Sequence, residues 1–321
     1  MRVVYWARIG LARREVTHRL GEVAGAELVV AENLPELLKA LPGAEGLVLY
    51  DAPLAQARSV VEALTGPDAT VRWMHFLSAG REGFEAVGLP QRLQITWAAG
   101  GVSPTVAEHA MALLLALARR IPEVVALTAA RRWDRSVVTR AISLEGRTMA
   151  IVGMGHVGRE LARRARAFGM RVVAATRTPR LDPLLDEVSP IGQLHAVLAR
   201  ADAIVITIAL AAQTEHLFDR AAFAACKPGA LLVNVARGGV VEQGALLEAL
   251  RQGHLGGAAL DTTDPEPFPA EDPLWEAPNL LVSPHYAGGG SQPSMDRLAE
   301  VAAENLRRLI AGQPLVNLVS R

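Results

Sequence analysis

Residues 149–158, Met149-Ala150-Ile151-Val152-Gly153-Met154-Gly155-His156-Val157-Gly158, constrain this chain more than any other stretch. Four apolar residues lead into glycines at the first, third and sixth places of a six-residue run, and Arg159-Glu160-Leu161-Ala162 continues as the start of a helix. A strand, a tight turn and a helix N-terminus bring free backbone N–H groups and the positive end of the helix dipole against a pyrophosphate. Gly153 allows the sharp turn, Gly155 leaves no Cβ in the way of the phosphates, and Gly158 lets the helix lie close to the strand. Glycine-rich turns also occur in unrelated α/β units, so the context carries the argument for a dinucleotide. The helix after Gly158 is amphipathic, with Val157, Leu161, Ala165 and Phe168 on one face and Arg159, Arg163, Arg164 and Arg166 away from its centre. Gly169 can close it, and a second strand follows at once over 171–175.

The 321 residues are enough for two domains. Half are apolar and only 4% aromatic, which predicts a large aliphatic core. Lys+Arg and Asp+Glu each number 33, and a formal net charge of zero argues against general binding to nucleic acid or to an anionic membrane. The single cysteine, Cys226, cannot form an internal disulfide. Residues 1–6 read as a strand rather than a signal peptide, and the most apolar helix, 106–118, is too short to span a bilayer and carries Glu108 and His109, so a cytoplasmic protein is expected. His109 has no metal-type partner at i±4; it reads as a packed or capping histidine, and no metal is expected.

Up to residue 97, strand-like runs at 2–6, 27–31, 46–50, 71–76 and 93–96 alternate with helical stretches at 11–20, 35–41, 53–64 and 82–87, the pattern of a small open α/β sheet. Ligands bind such sheets at strand ends. The small residues of Leu77-Ser78-Ala79-Gly80-Arg81-Glu82-Gly83 would let backbone amides approach an anion, although an ordinary surface turn has the same composition. A helix opens at Ser103-Pro104 or at Thr105, which stands at capping-box spacing from Glu108. Pro122 restarts a helix through Arg132, and 133–146 is polar and irregular. From 149 to 283, strands at 149–152, 171–175, 203–208, 230–235, 256–260 and 279–283 alternate with helices at 156–168, 192–199, 219–225 and 242–252. Near-continuous apolar strands imply a parallel sheet covered on both faces. The proline-rich stretch 261–278 reads as a long structured loop, and a last helix covers about 292–311. Glycine-rich joints near 100 and 289 suggest two doubly wound parallel-sheet domains. A Rossmann dinucleotide-binding domain, 99–288, is then inserted into a flavodoxin-like substrate domain, 1–98 plus 289–321, with a cleft between them that closes by hinge motion.

Three polar residues follow strands in the second half of the nucleotide sheet. Arg237 follows Val233-Asn234-Val235-Ala236, Glu266 lies in Asp261-Thr262-Thr263-Asp264-Pro265-Glu266-Pro267, and His285 follows Leu281-Val282-Ser283-Pro284. The carboxyl ends of such strands converge on the cofactor crevice. There an arginine can hold a carboxylate with two hydrogen bonds, and a histidine paired with a glutamate makes an acid/base whose imidazolium is stabilised.

At these residues the sequence resembles the D-isomer-specific 2-hydroxyacid dehydrogenases, from about residue 46 to 314 and most weakly before residue 70. Besides the glycine motif, the matching stretches are Thr105-Val106-Ala107-Glu108-His109-Ala110, Leu144-Glu145-Gly146-Arg147-Thr148, Lys227-Pro228-Gly229-Ala230, residues 233–239, 260–267 and 283–285. The resemblance implies that Arg237 binds the substrate carboxylate, Glu266 tunes the pKa and His285 is the general acid. It implies a substrate loop at Ser78-Ala79-Gly80, with Tyr50 and Leu77 lining a side-chain pocket. It also implies a cofactor site of Gly153, Met154, Gly155, His156, Val157 and Gly158, with Ala236 and with Asp261 on the nicotinamide amide. The extra regulatory domain of many phosphoglycerate dehydrogenases is not expected.

One departure bears on the cofactor. NAD-preferring members carry an acidic residue at the end of the second nucleotide strand, where this chain reads Thr176-Arg177-Thr178-Pro179-Arg180. A carboxylate would repel a 2′-phosphate, whereas threonine and arginine would bind one, so NADP(H) is expected to be preferred with NAD(H) possible. The implied reaction is reduction of a 2-keto acid to a D-2-hydroxy acid, with glyoxylate and hydroxypyruvate leading and bulkier 2-keto acids as the alternative. An NAD(P)H-sensing, corepressor-like binding protein is a reading of another class, disfavoured by the intact Arg/Glu/His set. Formate dehydrogenases pair the histidine with Gln, where this chain has Glu266. A homodimer is expected through the dinucleotide domain, using helix 104–120 and the segment around Trp133.

Overall fold

In the computed structural model, which describes residues 1–319, the chain divides into two compact units: Met1–Val102 with the chain from Gly289 onward, and Ser103–Gly288. In the first unit β1 (Arg2–Trp6), α1 (Arg13–Gly21), β2 (Glu27–Ala31), α2 (Leu34–Ala40), β3 (Gly46–Leu49), α3 (Leu54–Thr65), β4 (Trp73–Phe76), α4 (Glu82–Val87) and β5 (Gln94–Trp97) alternate. The five strands are parallel, in the order β2-β1-β3-β4-β5. Side chains of a strand alternate between faces, so each face needs its own cover. Val3 and Tyr5 join a core with Val16 and Leu20 of α1 and with Leu298, Ala302 and Leu306 of the C-terminal helix, while Val4 and Trp6 join Leu37, Val60 and Leu64 of α2 and α3.

The second unit begins with α5 (Ser103–Ala118) and α6 (Ile121–Ala129), then runs β6 (Thr148–Val152), α7 (His156–Ala167), β7 (Arg171–Thr176), β8 (Glu187–Pro190), α8 (Leu194–Leu198), β9 (Ala203–Ile206), α9 (Arg220–Ala225), β10 (Leu231–Asn234), α10 (Gln243–Arg251), β11 (Gly257–Leu260) and β12 (Leu280–Val282). Its seven-stranded sheet, β12-β11-β10-β9-β6-β7-β8, is parallel throughout. Met149 and Ile151 pack under α5 and α7, and Ala150 and Val152 under α8, α9 and α10. The order reverses between β6 and β9, and a crevice opens beyond the strand ends at such a switch point. The Gly153 turn leaves β6 there. The last helix, α11 (Gln292–Ile310), belongs to the first unit.

The expected architecture of two parallel-sheet α/β units forms, with three local corrections. Strand β8 is an addition, because Glu187-Val188-Ser189-Pro190 has no apolar alternation; it pairs only with β7, at an edge where a terminal proline is tolerated. Phe168 is 44% exposed, since α7 ends at Ala167 and its buried face is Gly158, Leu161, Ala162 and Ala165. Helix α5 starts at Ser103, which puts Thr105 inside the first turn rather than at the cap.

Candidate active site

The turn between β6 and α7 is shaped for close backbone approach. Gly153 has φ +104°, and a Cβ there would stand 2.8 Å from the backbone of Ile208. A Cβ on Gly158 would strike the carbonyl oxygen of Gly153. Gly155, the N-cap of α7, carries no side-chain cap, and a Cβ added to it would meet nothing within 4 Å. An N-terminus with no side-chain cap and no Cβ at Gly155 leaves room for close approach of a ligand, which fits a pyrophosphate. His156 and Val157 form the first turn of the helix, and Met154 packs partly into the core beneath it.

Thr176 ends β7, and Arg177, Thr178 and Arg180 beyond it are exposed. Neither guanidinium pairs with another described residue. The nearby carboxylate of Asp182 is turned inward: its Oδ2 lies 2.9 Å from Arg159 Nη1, and its Oδ1 accepts from Leu184 N at 3.0 Å. The end of β7 thus offers cations and hydroxyls and no carboxylate.

Three loops beyond β10, β11 and β12 assemble the polar group. The buried Asn234 side chain stiffens the first, accepting from Ala236 N at 3.0 Å and donating to Arg237 O at 2.9 Å. Arg237, half-buried, donates from Nη1 to Ala236 O at 2.7 Å. Gly238 lies directly on the second loop, and a Cβ there would overlap the Thr263–Asp264 peptide. Glu266 on that loop accepts from Thr263 N through Oε1 at 3.2 Å, and its Oε2 is 2.8 Å from His285 Nδ1. The third loop holds His285 at φ 50°, a left-handed conformation that side chains rarely adopt. Its N–H donates to Asp261 O at 2.8 Å and to Ser283 O at 3.0 Å. The Asp261 carboxylate, 2% exposed, accepts from Ser283 Oγ at 2.7 Å and from the amides of Tyr286 and Ala287, each at 3.2 Å.

The electrostatics follow from this packing. The hydrogen bond to Glu266 is the main cause that raises the His285 pKa, against burial, which lowers it. For Glu266, burial pushes up, but the hydrogen bond and charge of His285, the Thr263 amide and the Arg237 charge together hold the carboxyl below its ordinary range. With Nδ1 committed to Glu266, the imidazolium keeps Nε2–H for another acceptor.

In the first unit, Ser78 Oγ accepts from Asp51 N at 3.0 Å and donates to Gly80 O at 2.8 Å, so the hydroxyl shapes the 78–80 loop and only main-chain amides remain for an anion. Ala79 is exposed and Gly80 buried. Leu77 is 2% and Tyr50 6% exposed in the core of their unit, and the Tyr50 hydroxyl donates to Leu11 O at 2.8 Å. Sequence spacing missed His109. Its Nε2 lies 3.1 Å from Ser283 Oγ and 3.3 Å from Asp261 Oδ1, contacts made across 174 residues in the case of Ser283, which no i±4 rule can register. Among the described residues, no group of three His, Cys, Asp or Glu could hold a metal ion, and no helix is long and apolar enough to cross a membrane.

Residues 111–287 match the family model of the D-isomer specific 2-hydroxyacid dehydrogenase NAD binding domain. The chain is 31% identical over 294 residues to glyoxylate/hydroxypyruvate reductase B of Yersinia enterocolitica, covering 90% of this chain and 88% of that one. It is 29% identical over 314 residues to D-3-phosphoglycerate dehydrogenase of Methanocaldococcus jannaschii, covering 94% of this chain but 56% of that longer protein. Among solved structures, a D-isomer specific 2-hydroxyacid dehydrogenase family protein from Aeromonas salmonicida matches with a TM-score of 0.86 at 30% identity, over 99% of this chain and 98% of that one.

Proposed function

Because the chain belongs to the D-isomer specific 2-hydroxyacid dehydrogenase family, we propose that it reduces small 2-keto acids of the glyoxylate and hydroxypyruvate type to D-2-hydroxy acids, with NADPH preferred over NADH. The observation that carries the reading is the His285–Glu266 contact of 2.8 Å, on loops packed against the one that bears Arg237. A bound dinucleotide supplies the hydride that reaches substrate C2. Arg237 holds the substrate carboxylate, which orients the keto carbon. His285 Nε2 donates its proton to the keto oxygen as that atom becomes an alkoxide, and Glu266 stabilises the imidazolium until the proton leaves. Hydride and proton together convert C=O to CH–OH. Thr176, Arg177 and Thr178 receive the 2′-phosphate, and Asp261 the nicotinamide amide.

The same reading makes the protein a cytoplasmic homodimer assembled through the dinucleotide-binding domain. Helix α6 buries none of its residues, and Val125, Trp133 and Val138 are 60, 95 and 63% exposed. The contact surface is the exposed side of helix 104–120, with Glu108, Ala112 and Arg119 outside the core that Ala107, Ala110, Leu114 and Leu117 join, together with α6 and the segment around Trp133.

NADPH oxidation by the purified protein with a panel of 2-keto acids of increasing side-chain size tests the proposal. Turnover of glyoxylate or hydroxypyruvate supports it, turnover of bulky keto acids alone moves the substrate class, and no turnover of any favours a binding protein that senses the cofactor.

A further inference from the structure

His109 stands near the start of α5, far in sequence from the loops it touches. Ser283 Oγ gives its own proton to Asp261 Oδ1 at 2.7 Å, so towards His109 it can only accept. The hydrogen on His109 Nε2 is thereby assigned by the network, and it points between Ser283 Oγ at 3.1 Å and Asp261 Oδ1 at 3.3 Å. The ring also meets that of Tyr286 edge-on, with 4.7 Å between centroids. One side chain thus touches the residues on both sides of the Pro284-His285 pair and the carboxylate beneath them. Among the described residues no arginine or lysine pairs with Asp261, whose charge is compensated by two amides, a hydroxyl and His109. That carboxylate anchors a turn whose left-handed His285 would relax to a commoner conformation if released.

We propose that His109 is a positioning residue that holds the 283–287 turn, through Ser283 and Asp261, and so sets the direction of His285 Nε2; the inference rests on the reading of His285 as the proton donor. His109 touches neither the substrate nor the proton in flight. It reaches the turn from α5, whose apolar face is anchored in the core of the unit, and a proton donor displaced by a fraction of an ångström loses rate without loss of substrate binding. The carboxylate is held elsewhere, by Arg237.

The test is glyoxylate reduction with NADPH by the full chain as wild type, His109→Leu, His109→Gln, Ser283→Ala and the double variant His109→Leu/Ser283→Ala. His109→Leu is expected to lower kcat ~10-fold with KM for glyoxylate within about twofold, and His109→Gln, which keeps an N–H of similar reach, to recover to within about threefold of wild type. The double variant is expected to be no slower than the slower single variant, because both substitutions break one chain of contacts. Full activity in His109→Leu, equal losses in Leu and Gln, or additive losses in the double variant would overturn the assignment. If His109→Leu does not fold, His109→Asn replaces it; too short to reach Ser283 Oγ, it must be slow where Gln is fast. A wild type that turns over no keto acid refutes the reaction and not the brace. The His285 ring resonances then decide: they shift in His109→Leu and stay in His109→Gln if the brace exists, and respond alike if it does not.

Discussion

Replacing Arg177 by aspartate should reverse the cofactor preference. Arg177 and Arg180 are exposed beyond β7 and pair with no described residue, so a 2′-phosphate would meet guanidinium groups that have no competing partner. Charge-assisted hydrogen bonds contribute ~1.5–3 kcal/mol each, and solvent exposure selects the lower end of that range. One contact at ~1.5 kcal/mol corresponds to a preference of about 10-fold for NADPH, and two to about 150-fold. Arg177→Asp removes one cation and places a carboxylate where it repels the phosphate and accepts from a ribose 2′-OH. Asp182 cannot already serve the ribose, because its carboxylate is tied to Arg159 and to the Leu184 amide. The assay is kcat/KM for NADPH and NADH at saturating glyoxylate in wild type, Arg177→Asp and Arg180→Ala, with cofactor affinity measured directly by calorimetry. Arg180→Ala should lower the ratio without reversing it. Equal use of both cofactors by the wild type, or an unchanged ratio in Arg177→Asp, refutes the reasoning.

Three further outcomes follow from the same structure. His285→Ala should lower kcat for keto-acid reduction by roughly 10²–10⁴ with NADPH affinity nearly intact, and near-normal turnover would remove the general-acid role. Reduction needs protonated His285, so kcat/KM should fall as pH rises through its raised pKa; Glu266→Gln removes the main cause of that rise and should move the alkaline limb to lower pH, which a pH–rate profile reads directly. His75, wholly buried with Nδ1 2.8 Å from Thr96 Oγ1, has its pKa lowered by burial to about 3, so between pH 6.5 and that value the unfolded chain takes up a proton that the folded chain refuses. Stability should therefore fall by up to about 1.4 kcal/mol per pH unit over that window, and urea titrations at pH 7 and 5 should show a shallower loss in His75→Gln.

How much of this was legible in the sequence depends on the range of the interaction. The strand of residues 149–152, the Gly153-x-Gly155-x-x-Gly158 turn and the amphipathic stretch after it are local patterns, and the glycine clashes found at 153 and 158 arise between residues close in sequence or on adjacent strands. Arg237, Glu266 and His285 were legible because each follows an apolar parallel strand, and parallel strands bring their carboxyl ends to one side of a sheet. Local pattern fails where burial is weak or where contacts join distant segments. β8 has no apolar face to betray it, and Phe168 shares the spacing of α7 without lying within the helix. The links from His109 to Ser283 and Asp261 exist only because α5 packs on the sheet near β11 and β12, which no spacing along the chain encodes. The sequence alone determined which chemical groups the strand ends would present; tertiary packing decided what holds them and where they point, since the direction of a side chain is set by neighbours that lie close in space and far apart along the chain.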